Sequence, residues 1–147
     1  MIFIILDLNY LKSTVKTMST NFKAKDKMKS LELIPVLSPD SSLKKCLDLM
    51  TEKKLGITCF TDKTGKLVGL LTDGDLRRLL LTKQSPLPAL LVSDGITFGN
   101  SNPKVGHIDD EISSLQQVMN EKQIWDLPIV DSNGVLLGLL HRHDANQ

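Results

Sequence analysis

The chain has 147 residues, of which 41% are hydrophobic, and its 18 basic side chains nearly cancel 17 acidic ones to leave a formal charge of +1. This length and apolar content are enough for a buried core in one domain, or in two small halves that share a core. A net charge so close to zero gives no global field that would attract nucleic acid or an anionic membrane, so we expect neither as a partner.

The first 33 residues differ in composition from the rest. Residues 1–6 are apolar but far fewer than the roughly 20 that span a bilayer, and they lack the basic start and the cleavage site of a secretory signal. Lysines mixed with Ser and Thr follow. We interpret residues 1–33 as a leader or linker of a cytoplasmic protein, with Met18 as an alternative start. A nucleic-acid-binding arm is the other interpretation, but no aromatic platform or Arg cluster accompanies the lysines.

The rest of the chain is an internal duplication. Residues 34–76 align without a gap to residues 103–145, at a constant offset of 69 positions (119 − 50). A unit of this size cannot cover its own apolar face, so the two copies are expected to pack on each other. We expect the residues that the copies share to build the scaffold, and their polar differences to select a ligand.

Each copy opens with a pattern typical of an amphipathic helix. Apolar residues recur three or four positions apart at Leu43, Cys46, Leu47 and Met50, and at Ile112, Leu115, Val118 and Met119. Oxygen-bearing side chains that can cap a helix precede both stripes, at residues 40–42 and 109–111. Because Cys46 falls in the stripe, we predict a buried structural thiol rather than a reactive one. Two cysteines without Cys-x-x-Cys spacing fit a reducing compartment.

A β-hairpin and a second helix are predicted next. Residues 57–61 and 66–71 are β-prone and are separated by Asp62-Lys63-Thr64-Gly65, and the copy has residues 127–130 and 135–140 around Asp131-Ser132-Asn133-Gly134. The first copy continues into a helix from about Asp75 to Leu81, whereas the second ends at Gln147 before such a helix can form. The join between the copies is rich in Pro and Gly and predicts a loop with one helical turn at residues 89–92.

This order, with Gly-hydrophobic-hydrophobic-Thr-x-x-Asp after the hairpin, resembles the CBS domain. The residues that carry the resemblance are Gly69-Leu70-Leu71-Thr72-Asp73-Gly74-Asp75, Leu127-Pro128-Ile129-Val130-Asp131 and Gly138-Leu139-Leu140-His141-Arg142-His143-Asp144. The resemblance implies an α+β fold in which two β-α-β-β-α motifs pack with pseudo-two-fold symmetry, as in a Bateman module, and one nucleotide cleft per motif. The implied divisions are 1–33 leader, 34–82 first motif, 83–102 linker and 103–147 second motif, truncated at its last helix.

A finer resemblance is to the C-terminal CBS pair of arabinose-5-phosphate isomerases, which serve the synthesis of Kdo and lipopolysaccharide. It is carried by Leu55-Gly56-Ile57-Thr58, Thr72-Asp73-Gly74-Asp75-Leu76-Arg77-Arg78 and the ending His141-x-His143-Asp144. The Thr-Asp-Gly-Asp-Leu-Arg-Arg string is also similar to CBS pairs of sugar nucleotidyltransferases. The chain departs from the isomerases because it has no room for their sugar-isomerase domain, and it lacks the usual Met-Thr near Ser93-Asp94.

Asp75 and Asp144 are the first candidate ligand-binding residues. Each follows the end of a predicted strand, where a carboxylate can accept hydrogen bonds from the vicinal hydroxyls of a ribose. An alternative role for either residue is to cap a helix. Their recurrence in both copies favours contact with a ligand, and one carboxylate can serve both roles in different states.

Further candidates surround Asp75 in the first copy. Thr72 offers a hydroxyl and Asp73 a turn just before new helical N–H groups, an arrangement that suits a phosphate. Arg77 and Arg78 lie in the first helical turn, where positive charge interacts unfavourably with the helix dipole. Phosphate binding would compensate this cost, and so would a salt bridge to Asp73 or Asp75.

The second copy places different side chains at the same positions. His141, Arg142 and His143 replace Thr72, Asp73 and Gly74, so the two clefts cannot be chemically equivalent. Contacts to phosphate or carboxylate are the favoured role of these residues. A zinc site would need further ligands in a recognisable spacing, which the sequence does not offer.

The remaining candidates are apolar or small. Thr58, Cys59, Leu127 and Pro128 are predicted to line the clefts through backbone groups and small apolar atoms, as in many nucleobase sites. Trp125 stands where the first copy has Gly56. We expect this ring to pack in the core or in a dimer rather than to stack on a base.

These observations predict a regulatory binding module without a cofactor of its own. Its ligand would be an adenosine nucleotide or a cytidine-activated sugar, and its partners a second copy through the CBS motifs and a sugar-isomerase catalytic domain. Independent catalysis is disfavoured because the sequence has no nucleophile triad and no phosphate-binding Gly-Lys-Thr loop. A structural dimerisation module with empty clefts is the other alternative.

Overall fold

A computed structural model describes residues 21–147 of the chain as an α+β fold. The helices are α1 (Ala24–Lys27), α2 (Leu43–Lys53), α3 (Asp73–Thr82), α4 (Leu87–Val92), α5 (Ile112–Glu121) and α6 (Arg142–Ala145). The strands are β1 (Lys29–Ser30), β2 (Val36–Leu37), β3 (Ile57–Thr61), β4 (Leu67–Thr72), β5 (Gly106–His107), β6 (Asp126–Val130) and β7 (Leu136–His141), and 3-10 turns lie at Leu31–Leu33 and Gly95–Phe98. None of the helices in this described part is long and apolar enough to cross a membrane.

The two copies of the repeat form sheets with the same topology and register. In the first, β3 is central, parallel to β2 and antiparallel to β4, and in the second β6 has the same relation to β5 and β7. The pairs Ile57–Thr72 and Asp126–His141 are equivalent at the offset of 69, as are the bulges after Phe60 and after Ile129. The predicted pair of β-α-β-β-α motifs is confirmed.

The hairpin turns explain why an Asp and a Gly recur between the β-prone segments of each copy. Asp62 Oδ1 accepts hydrogen bonds from the N–H of Thr64 (2.8 Å) and of Lys66 (3.0 Å), and Asp131 Oδ1 does the same for Asn133 and Val135. Gly65 and Gly134 have φ of 84° and 82°, a conformation that other residues rarely adopt.

Side chains alternate between the two faces of each sheet, and residues 21–147 form three apolar cores. The helix face of the first sheet packs on α2, α3 and α4 through Leu43, Cys46, Phe60, Leu71, Leu79 and Leu90. The helix face of the second sheet packs on α1, α5 and α6 through Ala24, Ile112, Leu115, Met119, Leu127, Ile129, Leu140 and Ala145. The opposite faces pack on each other, in a core that we call the seam, formed by Ile34, Ile57, Cys59, Leu70, Val130, Leu136 and Leu139.

Reciprocal contacts relate the two motifs across the seam. The N–H of Leu67 donates to the carbonyl of Gly134, and the N–H of Leu136 donates to the carbonyl of Gly65, both over 3.0 Å. The two bonds join equivalent residues, because Leu136 corresponds to Leu67 and Gly134 to Gly65 at the offset of 69. Such an exchange is the signature of an approximate two-fold axis, as predicted.

The interpretation of residues 1–33 as a leader is wrong for its last part. Residues 1–20 lie outside the described residues, but α1 packs on the second motif and β1 joins the second sheet as an antiparallel edge strand beside β7. The N–H of Ile112 donates to Phe22, just as the N–H of Leu43 donates to Ser93, each over 2.8 Å. The segment before the first motif thus repeats the segment before the second, at an offset of 71 (93 − 22).

Helix boundaries differ from the sequence expectations in three places. Helix α3 begins at Asp73, because Thr72 already caps it, and ends at Thr82. Helix α4 is longer than the single predicted turn, and a 3-10 turn follows it in the same segment. The second motif does begin its last helix, since the four residues of α6 complete one turn before the chain ends.

Candidate ligand clefts

Polar side chains meet at the point where the central and outer strands of each motif end on the seam side. The directly paired residues are Ile57 and Thr72 in the first motif and Asp126 and His141 in the second. Since Ile57 belongs to the seam core and paired residues point to the same face, these pairs continue that face toward solvent. We call the two positions the first and the second cleft.

The first cleft is closed by its own hydrogen bonds. Asp75 Oδ2 accepts from the N–H of Thr72 (2.9 Å) and from its Oγ1 (3.0 Å), and the N–H of Asp75 donates to Thr72 Oγ1. This reciprocal arrangement is a capping box at the start of α3. The other oxygen, Asp75 Oδ1, accepts from the guanidinium of Arg78. Of the alternative roles predicted for these residues, the structure shows helix capping by Asp75 and a salt bridge between Asp75 and Arg78.

The second cleft leaves its carboxylate open. His141 has no hydroxyl and makes no side-chain cap at α6, and Gln147 stands where the first copy has Arg78. Asp144 Oδ2 is buried and accepts no hydrogen bond. Among residues 21–147, Lys29 of β1 forms an ion pair with Asp144, with 2.9 Å between Nζ and Oδ2 but without hydrogen-bond geometry. The hydrogen-bonding capacity of Asp144 Oδ2 is therefore unused within the described residues.

A partly buried acid–base pair, His141 and Asp126, lies at the second cleft. His141 Nδ1 lies 2.6 Å from Asp126 Oδ1, and only 12% of the Asp126 side chain is exposed. The charge of Asp126 also acts across the seam on Cys59, where it adds to the main cause, burial, in raising the pKa of this thiol to about 12. The His143 ring stands 5.3 Å from that of His141. Residues 21–147 contain no group of three or more His, Cys, Asp or Glu placed to hold a metal ion.

The outer sides of the motifs differ as well. In the first motif a groove of about 350 Å³ lies between the end of α2 and the start of α3, lined by Leu47, Met50, Thr51, Lys54, Leu55, Gly56 and Asp73. In the second motif Trp125 replaces Gly56, and the guanidinium of Arg142 lies 4.9 Å above its ring and donates to Asn120. Trp125 is 57% exposed, so core packing is wrong for this residue and packing in a dimer stays a prediction. A second, open groove of about 650 Å³ adjoins Asp40 and Lys63 and contains none of the predicted residues.

The predicted residues are divided between these places. Thr72, Asp75 and Arg78 lie at the first cleft and His141, His143 and Asp144 at the second, whereas Asp73 and Arg142 lie at the outer sides. Arg77 is exposed on α3. Thr58 pairs with Leu71, and both Thr58 and Leu127 point to the helix face rather than to the seam. Pro128, paired with Leu139, shares the seam face.

Sequence reasoning missed two residues of the second cleft. Asp126 replaces Ile57 at a position where a strand should face the apolar seam, and this substitution is a signal that could have been found. Lys29 comes from the segment interpreted as a leader. Lys29 reaches the second cleft because β1 pairs with β7. A strand of two residues is too short to show a periodic pattern in the sequence.

Comparisons with known proteins agree with this geometry. The family model of the CBS domain matches residues 17–82. CBSX2 from Arabidopsis thaliana, solved in complex with AMP, is similar over 85% of this chain and 93% of its own, with 25% identity and a TM-score of 0.74. An uncharacterized protein of Rickettsia prowazekii is 34% identical over 83% of this chain and 36% of its own length. Arabinose 5-phosphate isomerase KdsD of Yersinia pestis is 34% identical over 76% of this chain and 32% of its own length.

Two packed motifs of this topology, each with a cleft at its strand ends, are the architecture of a CBS pair, which is a regulatory module. Residues 17–82 belong to the CBS domain family, and the chain has the fold of a CBS pair. It spans about a third of the length of the curated relatives that it matches, and these include arabinose 5-phosphate isomerases.

Proposed function

We propose that this CBS pair binds a nucleotide or a nucleotide-linked sugar at the seam and thereby controls a sugar-phosphate isomerase. The observation that carries the proposal is Asp144, whose buried Oδ2 accepts no hydrogen bond from residues 21–147 and is paired ionically with Lys29. Burial costs this carboxylate hydration that an ion pair does not fully replace, so a ligand that supplies hydroxyl donors would stabilise it. The vicinal hydroxyls of a ribose are donors of this kind.

The surroundings of Asp144 fit the rest of such a ligand. Lys29, His141 and His143 present cationic or hydrogen-bonding groups that suit a phosphate or a sugar carboxylate. These groups would contact the phosphate of a nucleotide, and Asp144 would contact its ribose hydroxyls. The nucleotide named with the similar CBSX2 structure, AMP, has both chemical parts.

The proposed partner follows from the relatives. The chain matches about a third of KdsD from Yersinia pestis, so the isomerase chemistry of that protein would belong to a separate domain or chain. Ligand binding that changes the packing of the seam by roughly 1–3 kcal/mol is enough to control such a partner. A sugar nucleotidyltransferase is the alternative partner on sequence grounds. Isomerase rates measured with and without the CBS pair and nucleotide would distinguish them.

Thermal melting of the full chain tests the binding proposal. The panel is AMP, ADP, ATP, CMP and a cytidine-linked sugar, with adenosine, cytidine and inorganic phosphate as controls. A ligand at 100 times its dissociation constant stabilises the fold by about 2.7 kcal/mol, which is a clear rise in the midpoint. Absence of a shift with every nucleotide would refute the proposal.

A second candidate is a structural dimerisation module with unused clefts. It is favoured by Leu80 and Leu81 of α3, which are 63% and 80% exposed, and by Leu87 and Val92 of α4, which are also exposed. Helices α3 and α4 both pack on the first sheet, and we call these four exposed side chains the α3–α4 face. A homodimer through this face is compatible with either function, so the melting experiment, not the oligomeric state, separates the two.

A further inference from the structure

The two clefts differ in whether their carboxylate is available. In the first motif both oxygens of Asp75 are used, one by the backbone and hydroxyl of Thr72 and the other by Arg78. Binding a ligand there would require breaking a capping box and an ion pair. The capping box alone is worth about 1 kcal/mol to a helix.

The second cleft has no capping box, and Lys29 is the described residue that forms an ion pair with its carboxylate. The change of Thr72 to His141 removes the hydroxyl of the capping box, and the change of Arg78 to Gln147 removes the arginine. Within residues 21–147 the buried side-chain oxygens without a hydrogen-bond partner are Asp144 Oδ2 and Thr58 Oγ1. Of these two atoms, only that of Asp144 belongs to a residue at a cleft.

Lys29 supplies the positive charge that the second motif lacks at position 147. Because Lys29 pairs with Leu139, a seam residue, its side chain is directed into the second cleft. Its ammonium has three donors, of which the contact with Asp144 engages at most one. At the equivalent place the first motif has Asn100, which is uncharged and whose Oδ1 accepts from the N–H of Asn102.

We propose that the chain binds one ligand, in the second cleft, and that Lys29 pairs with its phosphate while Asp144 holds its sugar hydroxyls. The ligand class is a phosphorylated ribose, such as a nucleoside monophosphate. This inference rests on the proposed function and adds the cleft, the number of ligands and a residue from outside both predicted motifs.

Isothermal titration calorimetry of the full chain with AMP and CMP, each against its nucleoside, tests the inference. We expect one ligand per chain. Asp144→Asn should weaken binding about tenfold or more, whereas Asp75→Asn should lower the melting temperature but leave the affinity within about twofold. Lys29→Gln should weaken the nucleotide about tenfold and the nucleoside little. Lys25→Gln, which removes an exposed ion pair with Asp109, is the matched control. It should change neither the affinity for the nucleotide nor that for the nucleoside.

The outcomes separate this inference from the proposed function. Two ligands per chain, or loss of binding in Asp75→Asn but not in Asp144→Asn, would overturn the single-cleft assignment while leaving nucleotide binding intact. Equal effects of Lys29→Gln and Lys25→Gln would overturn the role of Lys29. Hydrogen exchange gives a readout that does not depend on the variants, since AMP should slow exchange in residues 28–30 of the unmodified chain. If the unmodified chain binds no nucleotide, the proposed function itself fails.

Discussion

Single substitutions between the copies decide how the same backbone is used. Thr72 and His141 occupy equivalent positions with equivalent register, yet only the hydroxyl can complete a capping box with the carboxylate three residues later. In the same way Ile57 leaves the first half of the seam apolar, whereas Asp126 places a charge there that needs the His141 ring beside it. The ligand chemistry of the pair is therefore encoded in differences between the copies.

The two thiols are expected to be unreactive in the folded protein. Burial raises the pKa of Cys46 to about 11 and that of Cys59 to about 12. Ellman's reagent at pH 8 should label neither thiol in the native chain and both in guanidinium chloride, because the thiolate is the reacting species. Since the folded state favours the neutral thiols, this contribution to stability is complete below about pH 8.5 and decreases as the pH rises toward 11. Rapid labelling of the native chain would contradict the burial of both residues.

Thr58 offers a test of whether its hydroxyl serves a ligand. The side chain is fully buried on the helix face and its Oγ1 has no hydrogen-bond partner. Replacing Thr58 by Val removes the unpaired group at similar volume, so we expect a gain in unfolding free energy of about 1 kcal/mol. Urea unfolding measures the gain, and nucleotide affinity should not change. Thr51→Val, which removes an exposed hydroxyl bonded to Leu47, should give no gain. A loss of affinity in Thr58→Val would return Thr58 to the ligand-binding residues.

At the level of elements, the sequence predicted the helix and the hairpin that recur in both copies and missed the N-terminal elements α1 and β1. The stripe of Leu43, Cys46 and Met50 and the turn at Gly65 follow directly from period and turn chemistry. The match of the N-terminal segment to the inter-motif segment was hidden, because its offset is 71 rather than 69 and no long apolar pattern marks it. Strand β1 exists through its pairing with β7 and the packing of α1, which are tertiary effects.

Docking of β1 depends on the absence of a side chain at Gly138. A Cβ at this position would lie 2.4 Å from the carbonyl oxygen of Lys29, so Gly138→Ala should displace β1 and Lys29 with it. We expect destabilisation by about 1–3 kcal/mol in urea unfolding and a loss of nucleotide affinity similar to that of Lys29→Gln. Gly74→Ala is the matched control. Its Cβ would make only ordinary contacts within α3, so this variant should keep or slightly raise stability. Equal stability of both variants would mean that β1 is not held at Gly138.

For the whole molecule, the duplication predicted two motifs packed on a shared core, and the exchange between Leu67 and Leu136 confirms the two-fold relation. The replacement of Ile57 by Asp126 signals a charge in the second copy, but the sequence does not show which residue pairs with it, because that depends on which strand face turns to the seam. The Asp126–His141 pair is defined by the placement of both residues on the seam side of β6 and β7.

At the scale of the whole molecule, we expect two chains to associate through the α3–α4 face. The α3–α4 face exposes Leu80 and Leu81, and a second copy that covers them would bury apolar area that monomeric proteins seldom leave in contact with water. We expect light scattering to give twice the chain mass, and Leu81→Lys to shift the equilibrium toward the monomer with the melting temperature of the isolated fold preserved. Leu33→Lys, at a similarly exposed leucine in the 3-10 turn before β2, is the control and should leave the mass unchanged. A monomeric unmodified chain, or a dimer that survives Leu81→Lys but not Leu33→Lys, would exclude this face as the dimer contact.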